Sequence, residues 1–292
     1  MSEALDPLPA QPSSELAPQA AVEEECVGAP ERERDLRPRF RMTLAYDGTG
    51  FHGWQRQERP DGPALRTVAG EVQVTLQRVL RQPITLVGAS RTDTGVHALG
   101  QVAHFNADSP IPIERMRRAL SSRLPEDIDV VDIGPVDADF DAISGAVSKQ
   151  YRYRVFTAHR KPLHQRHQVW ACPEDLDVER MNVAAGALGG EHDFAAFANA
   201  NHGRASTVRR IHHCRVHRVG DEVQIVVRGS GFLYHMVRII AGTLLEVGRG
   251  RLDAGVVGRM IETRDRRLGG PTLGPQGLCL EWVRYAGDAE LD

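Results

Sequence analysis

The order of secondary-structure signals constrains this chain more than any single motif does. "FRMTLAY" (40–46) alternates as a strand does, and "DGTG" (47–50) supplies turn residues. Residues 66–81 place Val68, Val72, Leu76, Val79 and Leu80 on one helical face, with Thr67 as the N-cap. "ITLVGA" (84–89) reads as a buried strand and "GQVAHFNA" (100–107) as another. A helix over 112–124 and a strand "DIDVVDIGPV" (127–136) complete the order β-α-β-β-α-β, that of a ferredoxin-like unit.

The second half runs through the same order without repeating the wording. "YRYRVF" (151–156) is a strand, and 177–189 a helix with Met181, Ala184, Ala185 and Leu188 inward. "RRIHHCRVHRV" (209–219) and "EVQIVVRG" (222–229) form a hairpin around Gly220-Asp221. "FLYHMVRIIAGTLLEVG" (232–248) is a strongly apolar helix, 253–264 a shorter one, and "GLCLEWVRY" (277–285) a closing strand. The fold class expected is therefore α/β (α+β): two ferredoxin-like units, 38–145 and 146–286, with their sheets side by side and a central catalytic cleft. Short tails, 1–37 and 287–292, flank them.

The first tail is rich in Pro, Ala, Glu and Ser and reads as a disordered acidic segment. It distorts the overall charge of −3: residues 1–35 hold nine acidic and two basic side chains, leaving 34 Arg and Lys against 30 Asp and Glu in residues 36–292. All but Lys149 and Lys161 of those cations are arginines, whose planar forks match phosphate geometry. A GC-rich genome has the same effect on composition. No apolar run approaches the roughly 18 residues of a membrane span, and no secretory signal pattern opens the chain. Cys26, Cys172, Cys214 and Cys279 lie far apart with no C-x-x-C pair, which suits a reducing cytoplasm and free thiols. The run His212-His213-Cys214 is not a metal site, because neighbours on a strand point to opposite faces.

The loop "SRTDTGVHA" (90–98) carries the chemistry. Its Asp93-Thr94-Gly95 triplet is the wording of an aspartic protease, but such an enzyme needs two copies sharing a proton and the chain has one. Arg91 beside it also favours a fully ionised carboxylate. Two readings remain from the residues themselves. Asp93 can be an Asx-turn residue with Gly95 at positive φ. It can also be a carboxylate nucleophile at an anomeric carbon, with Arg91 contacting a phosphate or a base.

"GASRTDTGVHALGQVAHF" (88–105) resembles the signature of the tRNA pseudouridine synthase A (TruA) family, whose core reads Arg-Thr-Asp-Ala-Gly-Val-His. "YDGTGFHGWQRQ" (46–57), "KQYRYRVF" (149–156), "GSGFLYHMVRIIAGTLLEVGRG" (229–250) and "GPQGLCLEWVRY" (274–285) are similar to further family blocks in the same order. The resemblance covers about residues 38–286. Thr94 stands for the commoner Ala, Ser90 for a usual Gly, so that the turn must tolerate a Cβ, and Ile143 for an arginine found in many relatives.

The resemblance implies isomerisation of uridine to pseudouridine in the tRNA anticodon stem-loop, at positions 38, 39 and 40. The N1–C1′ bond breaks, the uracil turns and a C5–C1′ bond forms, without redox and hence with no cofactor. Asp93 is then the nucleophile, or the base that assists loss of the 2′-proton. Arg91 fills the space of the flipped uridine. Tyr151 stacks on the uracil and relays a proton from C5. Arg238 pairs with Asp93, while His97, Phe232, Leu233 and His235 shape the cleft. Tyr153 is packing. The implied partners are tRNA and a second copy of the chain in a homodimer, in the cytoplasm and away from membranes. A non-catalytic RNA-binding module of the same fold is the alternative; a glycoside hydrolase would need a second carboxylate motif.

Overall fold

The structure, a computed structural model, describes residues 35–57, 62, 64–160, 162–199 and 206–288. The acidic tail expected over 1–37 lies outside the described residues as far as position 34, and the closing tail does so from 289 onward.

Strand β1 (Arg39–Tyr46) buries Phe40, Met42, Leu44 and Tyr46 on one face and turns its other face outward. Helix α1 (Val68–Leu80) is capped by the Thr67 hydroxyl, which accepts from the Gly70 N–H, and it buries Val68, Val72 and Leu76. A two-residue strand β2 (Val87–Gly88), β3 (His97–Asn106), α2 (Ile113–Ser121) and β4 (Ile128–Val136) follow. The second half comprises β5 (Ala146–Phe156), β6 (Trp170–Ala171), α3 (Val178–Gly186), β7 (Gly190–Asp193), β8 (Val208–Val219), β9 (Glu222–Gly229), α4 (Met236–Gly248), α5 (Val256–Thr263) and β10 (Leu278–Tyr285).

These strands make one ten-stranded sheet in the order β4-β1-β3-β10-β5-β9-β8-β7, with β2 on β3 and β6 on β5. Within each half the fourth strand lies beside the first and the first beside the third, as in a ferredoxin-like unit. The two expected sheets are thus merged. Their join is a short parallel contact, Cys279 opposite His97 and Leu280 opposite Ala98.

The strand expected over 84–89 shrinks to β2. The Trp54 indole fills the space a side chain would take at Gly88. Beyond one further ladder bond, from the Ala89 N–H to the Val102 carbonyl, the chain leaves the sheet. β10, arriving from the far end of the sequence, takes the vacant flank of β3. The loop over 89–96 is consequently lifted out at the junction of the halves, facing β5 and the start of α4.

Candidate active site

Asp93 sits at that junction on a braced turn. The "YDGTGFHGWQ" stretch supplies the braces: the Trp54 backbone N–H donates to the Thr92 carbonyl at 3.0 Å and the Gly95 N–H to the Phe51 carbonyl at 3.3 Å. Gly53 is required there. Its φ is 85°, and a Cβ would stand 2.6 Å from the Thr92 carbonyl oxygen. The Tyr46 and Thr92 hydroxyls are hydrogen-bonded at 2.8 Å. Gly95 has φ 79°, the turn geometry expected of it.

One oxygen of Asp93 takes the contacts of both Arg238 and His235. Arg238 Nη1 donates to Oδ2 at 3.0 Å, and His235 Nε2 lies 3.5 Å from the same atom. Among the described residues no hydrogen bond holds Oδ1. Arg238 is itself fixed, since its Nε donates to the Leu273 carbonyl at 2.7 Å. The pair is largely shielded from solvent, with side chains 18% exposed for Asp93 and 13% for Arg238. In such surroundings a charge is tolerated only with a partner.

His235 has φ 62°, a left-handed conformation that histidine enters more readily than most residues. Its Nδ1 lies 2.8 Å from the Asn199 side-chain nitrogen. With the amide donating, Nδ1 is the acceptor and the ring proton sits on Nε2, toward the carboxylate. The opposite tautomer would aim a bare lone pair at Oδ2. Burial holds the ring below the ordinary histidine pKa; the Asp93 charge opposes this and Arg238 reinforces it.

Tyr151, on β5, is buried beneath this group. Its hydroxyl is 2.9 Å from the Ser90 hydroxyl, and its ring meets Phe232 edge-on with centroids 5.1 Å apart. Burial drives its pKa up, the Ser90 bond pulls it down and the Asp93 charge raises it again. Ser90, whose Cβ the turn had only to tolerate, thus gives the tyrosine its hydrogen-bond partner. Tyr153 is fully buried and donates to the Gly274 carbonyl at 2.7 Å.

The remaining expected residues are placed differently. Arg91 is exposed, on the same loop as Asp93. Leu233 belongs to the core. His97 lies under the loop, where its Nδ1 accepts from the Gly48 N–H at 3.1 Å beside the Asp47 carboxylate. Ile143 is 56% exposed in a turn held by the Asp141 side chain. An arginine at that position would face solvent, as an external contact requires.

A family model described as tRNA pseudouridine synthase matches residues 42–143 and 184–286. A tRNA pseudouridine synthase A from Geotalea daltonii is 40% identical over 246 residues, spanning 84% of this chain and 99% of that protein. The enzymes of that name from Myxococcus xanthus and Bacillus pumilus are each 42% identical over 249 residues, 85% of this chain and 92% and 99% of theirs.

The chain belongs to the tRNA pseudouridine synthase family. Of the two segments matched by the synthase family model, the first holds Arg91, Asp93 and His97 and the second Phe232, His235 and Arg238; Tyr151 falls between them. Sequence reasoning missed Ser90 as a partner of Tyr151, and Asn199 and Tyr234 altogether. Asn199 lies 36 residues from the ring it holds, and only the fold brings them together.

Proposed function

We propose that the chain converts uridine to pseudouridine in tRNA, in the anticodon stem-loop at positions 38, 39 and 40. The observation that carries the reading is the asymmetric clamp on Asp93: Oδ2 is bound by Arg238 while, among the described residues, Oδ1 is left uncommitted. A carboxylate ionised and oriented in this way has one oxygen for chemistry at the ribose, by attack at C1′ or by acceptance of the 2′-proton. The N1–C1′ bond breaks, the uracil turns, and C5 bonds to C1′ as the carboxylate is released or returns the 2′-proton; the C5 proton then leaves through the Tyr151 hydroxyl while N1 takes up a proton. Atoms and electrons balance without an external reagent.

Arg91, exposed and adjacent, enters the stack as the uridine leaves it. Phe232 and His235 wall the site around Tyr151 and Asp93. His97 and Leu233 act from beneath, by holding the loop and the approach to α4. The chain works in the cytoplasm as a homodimer, with the resemblance as support for the second copy. Cys172, Cys214 and Cys279 are free thiols, as that setting requires.

Asp93→Asn tests the reading. It preserves shape and removes the ionised oxygen. The expected result is unchanged affinity for an anticodon stem-loop with no pseudouridine formed, measured by nucleoside analysis. Normal turnover by this variant would refute the assignment.

A further inference from the structure

Among the described residues Tyr234 is the only Phe, Tyr or Trp that is strongly exposed, at 50%. It is not a stray surface residue. Its ring stacks on the His235 imidazole, with centroids 3.8 Å apart and planes within 25°. One ring face is therefore covered by protein, while half of the residue's surface stays open to solvent. The supporting imidazole is held by Asn199 and by its own left-handed backbone, so the tyrosine rests on a fixed base. Burial and the Asp93 charge push its hydroxyl up in pKa, and the Arg238 charge opposes them.

Tyr151 and Asp93 are recessed, whereas Tyr234 stands at the rim. The isomerase reading, on which the role of Tyr234 rests, already occupies the recess with the reacting uracil. A base extruded from a stem leaves its neighbours unstacked. An open, pre-positioned aromatic face beside the recess meets that need, because base-on-aromatic stacking accepts any base and a tyrosine loses little rotamer freedom in making it.

We infer that Tyr234 is a stacking platform for the nucleobase next to the reacting uridine, so that His235, Tyr234 and that base form one continuous stack. Tyr234 is a binding residue here, not a chemical one. Replacing the ring should weaken RNA binding, and replacing only the hydroxyl should not.

The test compares Tyr234→Leu, Tyr234→Phe and Tyr234→Trp in the full chain, using an anticodon stem-loop with 2-aminopurine beside the target uridine. Wild type, Phe and Trp are expected to quench the probe on binding. Leu is expected to lose the quench and to raise Kd and KM about tenfold or more, with the larger effect on KM rather than on kcat. Thermal melting of the Phe and Trp variants controls for folding. Wild-type KM and quench in Tyr234→Leu would overturn the proposal. So would equal impairment of Leu and Phe, or a loss confined to kcat, which would mean that the ring acts only through His235. Should wild type leave the uridine unconverted, the isomerase reading falls, and the binding and quench comparison still decides the platform.

Discussion

Arg238 holds Asp93 from a fixed position: Nη1 reaches the carboxylate at 3.0 Å while Nε donates to the Leu273 carbonyl at 2.7 Å. Only a planar fork makes both contacts at once. Arg238→Lys keeps the charge and gives up one of the two bonds, so the carboxylate is paired yet loosely aimed. We expect its single-turnover rate on tRNA to fall about 100-fold, the scale seen when one preorganised donor is removed. Arg238→Met should be slower still. A lysine variant at the wild-type rate would show that charge without aim suffices.

Asn199 controls a proton on His235. The half-buried ring is held below its ordinary pKa, so it is neutral at pH 7, and the Asn199 contact on Nδ1 leaves its proton on Nε2. A histidine with a depressed folded pKa contributes stability that is present above about 6.5 and lost as the pH falls toward the folded value. Asn199→Asp supplies a carboxylate that favours the imidazolium. The acid limb of the kcat–pH profile should then move to higher pH, because the new cation competes with Arg238 for Oδ2. Asn199→Leu should not move the limb upward. Imidazole nitrogen shifts in labelled protein would report the tautomer directly, and an unmoved limb in Asn199→Asp would sink the assignment.

Ser90 and Tyr151 offer a separation of stability from chemistry. Ser90→Ala leaves the buried tyrosine hydroxyl without its partner, at a cost of about 1–3 kcal/mol. The melting temperature should drop by several degrees. Turnover should fall less than in Tyr151→Phe, which removes the proposed proton relay itself. Tritium release from C5-labelled tRNA checks this, and the reverse order of effects would assign the relay to Ser90.

The repeated strand and helix order is legible because apolar periodicity reports it locally. What escapes depends on residues far apart in the chain. The strand over 84–89 keeps only two residues, and β10 pairs with β3 beyond them, a partner its own wording does not contain. β6 and β7 are two and four residues long, and the latter reads Gly-Glu-His-Asp, without an apolar face. Helix α4 begins at Met236 and not at 232, because Tyr234 and His235 form a turn, closed by the Met236 N–H on the Leu233 carbonyl, in which His235 is left-handed. At the site, Asp93 and Arg238 stand 145 residues apart. No spacing rule joins them, and the family blocks are the only signal. Ser90 stands out in the sequence as a departure from the family, yet its partner appears only once β5 lies beside the loop.

Two glycines in helices should respond with opposite signs. Alanine normally stabilises a helix interior relative to glycine by about 1 kcal/mol. Gly258, in α5, has nothing within 4 Å of a built Cβ, so Gly258→Ala should raise stability by about 0.5–1 kcal/mol. At Gly242, in α4, the same Cβ would overlap the Pro271 carbonyl oxygen. The segment carrying Pro271 cannot back away. The Gly270 N–H donates to the Thr243 hydroxyl at 3.1 Å, and Leu273 is tied to Arg238 through both its N–H and its carbonyl. Gly242→Ala should therefore destabilise by about 1–3 kcal/mol, the usual cost of overpacking. Displacement of Leu273 should also loosen Arg238 and slow turnover at temperatures where the variant is still folded. Urea melts of both variants, with rates on tRNA below the transition, make the comparison. Equal signs would mean that the close crossing of α4 by residues 270–273 does not hold the Arg238–Asp93 pair in place.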